Sequence, residues 1–513
     1  MVLQRHQLET YQGALLRFAV HLAVYVDTAL PGCVSRMAPP DSSGGGDDGP
    51  SDVSLLELLL LKYVAVLSGR RDLWPQVALY CSLLPYGDAA VGTYARFLLR
   101  VHAERERRVA IDAARRHLGP DMELDALRSA VREVVTGDDD ADCSRMAGED
   151  LPPAGLSLHA ARMMRSVGWL CLRPEHAPDA LEWANALLRR FVITSDDDGA
   201  DRGGRTFFAP KFFVDRMLPA GLAEDAVEEC EGRERGRGDY DEDDAERRAA
   251  GSISLPFALN LQAEFASIEA FLGAHTRYEL FLDTVSKTSP CHESDRLLAD
   301  GNAASRAERE IATKMERNSF RQRKMGLVRI VVESATAAAD ALTEVLAGTG
   351  GWLVDEPGES AAAADGEDPA PRLEELAMMR EKFLPRAVFM LHEVLDGTAE
   401  WLEQAVHDTV EQFGSEAAED MFQTLFASFD PADRSSHGSA ADTDALSALL
   451  TSSPAAPGHW HKRALSLSSV VANDGNALHE TFSTEEMERF LSLMAGSHVS
   501  LSRCGDRGFL FDG

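Results

Sequence analysis

The stretch Leu327–Leu395 constrains the fold most, because it carries apolar residues at the spacing of two long helices. The first set recurs in steps of three or four residues, as on one face of a helix: Val328, Val331, Ala335, Ala338, Leu342 and Val345. The second set is Leu373, Leu376, Phe383, Leu384, Val388, Leu391 and Leu395. Met379, Phe389 and Met390 lie off this second set, so we expect the second helix to be buried on more than one side.

A glycine-rich segment, which we call the elbow (residues 348–354), separates the two predicted helices. Its glycines can adopt the backbone angles that end a helix. Helical spacing also predicts helices at 8–30, 104–117, 121–135 and 484–496, and alternating β-branched runs typical of strands are missing from the sequence. We therefore predict an all-α fold, an irregular antiparallel helical stack similar to an α-solenoid, with acidic disordered inserts.

The net charge of −33 is concentrated in five segments of the chain. Residues 41–52, 138–150, 196–205, 224–246 and 355–371 hold 32 acidic and 6 basic residues, and so carry about −26 of that charge. Because acidic surfaces repel phosphate backbones, we expect no direct binding of nucleic acid. The most apolar run, Leu55–Leu67, contains Glu57 and Lys62 and is shorter than the roughly 20 residues that span a bilayer. We therefore expect membrane association only indirectly, through partners.

The seven cysteines form no CxxC pair, and several lie among apolar residues. They are Cys33, Cys81, Cys143, Cys171, Cys230, Cys291 and Cys504. This usage is typical of reduced thiols in the cytosol or nucleus rather than of a disulfide framework.

Two acidic clusters have the D-D-x-x-D spacing with which all-α prenyl-chain enzymes hold magnesium against a diphosphate. They begin at Asp138 and Asp197, and both lie in Gly/Asp-rich segments without a second metal motif. We therefore favour loop charge, with a magnesium-dependent diphosphate enzyme as the alternative. The sequence His459-Trp460-His461 has metal-capable atoms but no partner pair at ligand spacing, which favours a surface loop. We assign no catalytic, cofactor-binding or metal-binding residue, and predict that the protein is not an enzyme.

One concentration of basic residues lies before the first long apolar set. It comprises Lys314, Arg317, Arg321, Arg323, Lys324 and Arg329. Because Glu308, Glu310 and Glu316 share the predicted helix, we favour a solvated face over a nucleic-acid or phospholipid site.

Several segments resemble, in order along the chain, the nuclear pore protein 84/107 family of scaffold nucleoporins. The first are Val77–Pro85, Ala89–Leu98, Trp169–Cys171, Ala184–Ala186 and Arg189–Phe191. They are followed by Glu269–His275, Gly350–Asp355, Leu384-Pro385, Leu391-His392, Leu465–Val471, Phe482-Ser483 and Phe490-Leu491. The resemblance extends over residues 70–510 and implies that the chain corresponds to the carboxyl-terminal half of the family.

With this resemblance, the chain divides into residues 1–135, the end of a helical trunk module, an acidic linker at 136–155, and a helical tail module at 156–513. We expect inserts in the tail module at 194–206, 232–251, 355–371 and 428–460.

The resemblance implies a structural constituent of the Y-shaped outer-ring complex of the nuclear pore, located at the nuclear envelope and supporting transport of mRNA and protein. It also implies that the carboxyl-terminal helices bind the propeller-bearing stalk nucleoporin of the 133 type. As contact residues we predict Leu465, Val470, Leu478, Phe482, Phe490 and Leu491. Besides the enzyme, three alternatives stay open: these residues only complete the chain's own core, or the chain is a vesicle-coat or tethering scaffold, or it is a general helical adaptor that does not reside at the pore.

Overall fold

The computed structural model of the protein describes residues 2–31, 33–34, 54–101, 103–137, 156–194, 207–236, 253–288, 306–347, 353, 370–414, 457–472 and 478–506. Every regular element within these ranges is a helix, and none of these residues lies in a strand. The prediction of an all-α helical stack is therefore confirmed.

The chain forms two compact units, residues 1–191 with 195–249 and residues 192–194 with 250–513. The first unit contains α1 (Val2–Ala29), α2 (Leu55–Ser68), α3 (Trp74–Cys81), α4 (Gly87–Leu98), α5 (Glu104–His117), α6 (Pro120–Thr136), α7 (Leu158–Leu170), α8 (Ala177–Thr194), α9 (Phe208–Arg216) and α10 (Leu222–Gly236). The last three residues of α8 belong to the second unit.

Serine side chains begin several of the helices. The Oγ atoms of Ser54 and Ser157 accept hydrogen bonds from backbone N–H groups in the first turns of α2 and α7. These bonds satisfy donors that have no partner inside the helix. At the junction of α5 and α6, Gly119 has a φ of +92°, and Pro120 starts the next helix. Glycine tolerates that angle, and proline fits the first helical position, so this dipeptide sets the boundary.

Neighbouring helices of the first unit pack against one another in an irregular stack. Helix α1 packs on α2, α2 on α3, α3 on α5, α4 on α6, and α6 on α7. Tyr94 is fully buried, and its hydroxyl donates a hydrogen bond to the Ala110 carbonyl at 2.7 Å. The ring of Phe97 meets Tyr94 at 5.3 Å and Trp74 at 5.8 Å between centroids. These aromatic contacts hold α3, α4 and α5 together.

The predicted acidic linker, residues 136–155, lies mostly outside the described residues. Helices α6 and α7 flank it and pack against each other within the first unit. The division into trunk and tail modules at this segment stays a prediction.

The second unit is built mainly from three long helices followed by two shorter ones. They are α11 (Leu255–Lys287), α12 (Arg306–Ala347), α13 (Ala370–Phe413), α14 (Pro457–Val471) and α15 (Thr484–Asp506), with a short 3₁₀ helix at Leu478–Thr481. Helix α12 packs against α11 and α13, and α14 packs against α13 and α15. Both α11 and α13 continue through a glycine, Gly273 and Gly397, each of which has open space at its Cβ position.

The two long apolar sets predicted from the sequence lie on α12 and α13. All six members on α12 are buried, and on α13 all are buried except Leu373, which lies in the exposed first turn. Met379 and Met390 are buried as well, which confirms that α13 is covered on more than one side. Of the elbow, only Leu353 is described, and it is buried.

An ion pair and two aromatic rings join α11 to α13. Arg372 donates to one carboxylate oxygen of Glu264 through Nε at 3.1 Å and Nη2 at 2.7 Å, and its guanidinium lies over Phe257. Farther along, Phe271 and Phe383 meet edge to face with centroids 5.4 Å apart. Because Glu264 and both of these phenylalanines are buried, the two helices share one continuous core.

Among the helix boundaries that differ from the sequence prediction, two fall inside segments that were predicted to be inserts. Helix α10 continues to Gly236, inside the segment 232–251 that was expected to be disordered. Its last turn is stabilised by Arg233, which donates to the Glu175 carbonyl and pairs with Glu229. Helix α14 begins at Pro457, inside the predicted insert 428–460. Trp460 and His461 near its start have no exposed surface, so they belong to the core.

Candidate partner-binding surface at the carboxyl-terminal helices

The carboxyl-terminal helices α14 and α15 cover one side of the long helix α13. Helix α14 places Trp460, Leu467 and Val470 in the core, and all three are buried. The 3₁₀ helix at 478–481 packs on both α13 and α14, and α15 then packs on α14 and α13. These elements form the region in which the sequence predicts the partner-binding residues.

The structure places the six predicted partner-binding residues in three environments. Val470, Leu478 and Phe490 are buried within this chain, Leu465 and Phe482 are half-buried, and Leu491 is 58% exposed. The buried residues therefore complete the core of the second unit, whatever else binds there. Leu491 is the member that is accessible to a partner.

An aromatic cluster fixes the start of α15 on α13. The ring of Phe482 lies between Phe389 and Phe490, at centroid distances of 6.1 and 5.9 Å. The guanidinium of Arg489 lies 4.7 Å from the centre of the Phe389 ring, an arrangement that favours a cation–π interaction. The start of this helix is also capped: Ser483 Oγ accepts from the N–H of Glu486, whose carboxylate accepts from the N–H of Ser483.

The outward face of α15 carries an exposed apolar stripe. Leu491 and Val499 are 58% and 49% exposed, and Ala495 lies between them at helical spacing and is also exposed. Exposed Ser492 and Gly496 border the stripe. Small residues at these positions let a second helix approach closely, so this face has the shape and polarity of a helix-docking surface.

Beneath this face lies a polar network that the sequence did not predict. His461 of α14 lies 2.8 Å from Asp396 Oδ1 through Nδ1 and 3.1 Å from Glu403 Oε1 through Nε2. Ser497 of α15 donates to the same Asp396 oxygen at 3.1 Å and lies 2.9 Å from Nε2 of His392. The network therefore joins three helices.

The charges in this network follow from its geometry. Burial lowers the pKa of His461, but hydrogen bonds to Asp396 and Glu403 outweigh that effect and raise this pKa to about 9. Burial by itself would raise the pKa of Asp396. The hydrogen bond from His461 and the positive charge of that imidazole outweigh burial and lower this pKa. Burial lowers the pKa of His392, which is therefore neutral. At neutral pH an imidazolium lies between two carboxylates, and each ring N–H has an acceptor.

The surface-loop interpretation of His459-Trp460-His461 is therefore wrong. These residues lie in the first turns of α14, and both Trp460 and His461 have no exposed surface. The sequence could not reveal this, because the carboxylates that pair with His461 are 58 and 65 residues away. The network supplies no reactive group, since Ser497 is buried and its hydroxyl is engaged on both sides.

Three other kinds of feature bear on function: metal-binding groups, reactive thiols and membrane-spanning helices. Among the described residues, no group of three His, Cys, Asp or Glu residues is placed to hold a metal ion. Burial raises the pKa of the Cys81 and Cys171 thiols to about 12, which suppresses the reactive thiolate. Both D-D-x-x-D clusters lie outside the described residues. None of the helices that the structure describes combines the length and hydropathy needed to cross a bilayer.

Two residues of the basic concentration on α12 are paired with carboxylates. Lys324 Nζ lies 3.6 Å from Asp408 of α13, and Arg329 Nε lies 2.7 Å from Glu333 one turn away. The Arg329 pair is exposed and fits the predicted solvated face, whereas the Lys324 side chain is only 12% exposed and joins α12 to α13.

Two units of stacked helices, with an apolar outer stripe over a buried polar network, define a helical scaffold protein. The family model described as nuclear pore protein 84 / 107 matches residues 3–420. The chain belongs to this family of structural nuclear pore proteins, which are located at the nuclear envelope.

The sequence identity between this chain and individual proteins of the family is low. The chain is 23% identical to the nuclear pore complex protein Nup107 of Mus musculus over 397 residues, which are 76% of this chain and 36% of the mouse protein. The human Nup107 has the same identity over 394 residues, again 76% of this chain and 36% of the relative. The chain thus matches about a third of the length of these relatives.

Proposed function

We propose that the chain is a structural constituent of the outer-ring Y complex, where it supports transport of mRNA and protein by holding neighbouring nucleoporins in place. Membership of the nuclear pore protein 84 / 107 family supports a role in the pore scaffold. The observation that favours a docking role is the exposed apolar stripe Leu491–Ala495–Val499 on a helix whose inner side is fixed by the aromatic cluster and the His461 network.

The proposed occupant of this stripe is a helix from the carboxyl-terminal domain of the 133-type stalk nucleoporin. A rigid helix that presents apolar residues at positions i, i+4 and i+8 suits the groove of a partner helix or helix pair. Leu491 and Val499 would supply the apolar contacts, and Ser492 and Gly496 would let the partner backbone approach. Of the six residues predicted from the sequence, the buried ones would support this surface from below.

The variant Leu491→Glu/Val499→Glu tests this proposal. We expect at least about tenfold weaker binding to the purified carboxyl-terminal domain of the stalk protein, because two charges would be desolvated at the contact. Helicity and melting temperature should not change, since both side chains are exposed in the free chain. The affinity can be measured by isothermal titration calorimetry.

Leu280→Glu is the matched control, because Leu280 is an equally exposed leucine on α11 of the same unit. It should bind the stalk protein as the wild type does. Unchanged affinity of the double variant would refute docking through α15, whereas a lowered melting temperature together with lost binding would assign the two residues to the core of this chain.

A further inference from the structure

The first helix of the chain has an apolar stripe that faces away from its own unit. Leu15, Phe18, Leu22 and Tyr25 of α1 are 62%, 66%, 49% and 72% exposed. On a monomeric protein, a contiguous set of large exposed apolar side chains marks an interaction surface. We call these four residues the α1 stripe.

The opposite side of α1 is fixed to the first unit. Val20 and Ala23 are buried, and α1 packs on α2. His21 Nε2 lies 3.0 Å from the Tyr80 hydroxyl, and the His21 ring meets the Tyr63 and Tyr80 rings edge to face. These contacts determine the rotation of the helix about its axis and direct the α1 stripe outward.

The spacing within the α1 stripe selects a helix as its occupant. Its members are separated by three, four and three residues, the a and d positions of a coiled-coil heptad. In the sequence of α1, the same spacing extends back to Tyr11 and Leu8 and forward to Ala29. A helix that buries one apolar face on its own unit does not need a second one, so the second face fits a partner helix in knobs-into-holes packing.

The charges of α1 are compatible with a second copy of the same helix as the partner. Between Leu8 and Ala29, the e and g sites beside the seam hold Gln12, Ala14, Ala19, His21, Val26 and Thr28, none of which is an acid or a strong base. In a coiled coil, charges at the e and g sites can select a different partner or repel an identical one. Because α1 has no acid or strong base at these sites, an identical helix is not repelled there.

The whole helix is also formally neutral, although the chain carries −33. Within α1, Arg5 and Arg17 balance Glu9 and Asp27. Two copies of the chain can therefore approach along α1 without strong repulsion between the helices.

We propose that α1 pairs with α1 of a second copy through the α1 stripe, so that the chain forms a homodimer. A helix of 28 residues is about 42 Å long, enough to place all four residues of the stripe in one contact. A contact between two single helices buries an area at the low end of specific interfaces, so the dimer dissociates on dilution.

Sedimentation velocity of the full chain, measured over a wide concentration range, tests the proposal. The wild type should show a reversible equilibrium between monomer and dimer. Phe18→Glu/Leu22→Glu should stay monomeric throughout with unchanged helicity, because both side chains are exposed in the monomer. The milder Leu22→Ala, which adds no charge, should raise the dissociation constant about tenfold.

Leu259→Glu/Leu280→Glu serves as the matched control, since it adds the same two charges to exposed leucines of another helix, α11. This variant should dimerise like the wild type. A wild type that is monomeric at every concentration overturns the proposal and leaves the α1 stripe to another polypeptide. A dimer that persists in Phe18→Glu/Leu22→Glu overturns it as well, because the two copies would then meet through a different surface.

Discussion

Replacing His461 with alanine should destabilise the second unit by about 3 kcal/mol, because the substitution removes a buried cation from between two carboxylates. In the wild type, His461 has no exposed surface and lies 2.8 Å from Asp396 and 3.1 Å from Glu403. Without the imidazolium, the two acids would face each other across a cavity and lose their shared hydrogen-bond donor. Urea unfolding followed by circular dichroism would measure the loss, and hydrogen exchange would locate it in α14 and α15.

The control for this variant is His407→Ala. His407 lies 3.8 Å from Glu411 on the same helix as Asp396, but both residues of that pair are well exposed. Exposed pairs of this kind contribute at most about 0.5 kcal/mol. If His461→Ala were as mild as His407→Ala, the network would not hold the three helices together.

The contribution of His461 should also depend on pH in a defined direction. Its pKa is about 9 in the folded chain and 6.5 for an ordinary imidazole, so its stabilising effect is complete below pH 6.5 and is lost as the pH rises through 9. The groups that face it are Asp396, Glu403, Glu400 and His392 of α13. The difference in unfolding free energy between wild type and His461→Ala should therefore shrink between pH 6.5 and 9. A constant difference would mean that the folded chain does not hold His461 protonated.

Replacing Phe383 with alanine should cost about 3–5 kcal/mol, the usual range for a fully buried phenylalanine. Phe383 has no exposed surface, and its ring meets Phe271 of α11 at 5.4 Å, so the truncation opens a cavity between α11 and α13. The same urea titration measures the effect.

Two further substitutions show whether the cavity causes the loss at Phe383. Phe383→Leu keeps most of the volume and should cost about 1.5 kcal/mol. Met378→Ala removes an exposed side chain from the same helix and should stay within about 0.5 kcal/mol of the wild type. A cost below about 1 kcal/mol for Phe383→Ala would show that α11 and α13 are not held together at this point.

The helices could be predicted from the sequence because their signals are local. Helix α5 has the predicted bounds, 104–117, and the cap at Ser483 lies three residues from the glutamate that completes it. The apolar set on α12 is buried as predicted, because a helical period depends only on neighbouring residues.

Contacts between distant segments could not be predicted in this way. The network of His461 joins residues up to 105 positions apart, so no short motif reports it. Likewise, periodicity does not distinguish apolar residues that face the chain's own core from those that face a partner. Phe490 and Leu491 are adjacent and both apolar, yet one is buried and the other exposed, because only Phe490 points toward the ring of Phe482.

The central claim is that these stacked helices work in the outer ring of the nuclear pore. Affinity purification of the tagged full chain from its own cells, followed by mass spectrometry, tests that claim most directly. The outer-ring nucleoporins, with the 133-type stalk protein among them, should be the main proteins recovered. Recovery of vesicle-coat or tethering subunits in their place, with no outer-ring nucleoporin, would contradict it.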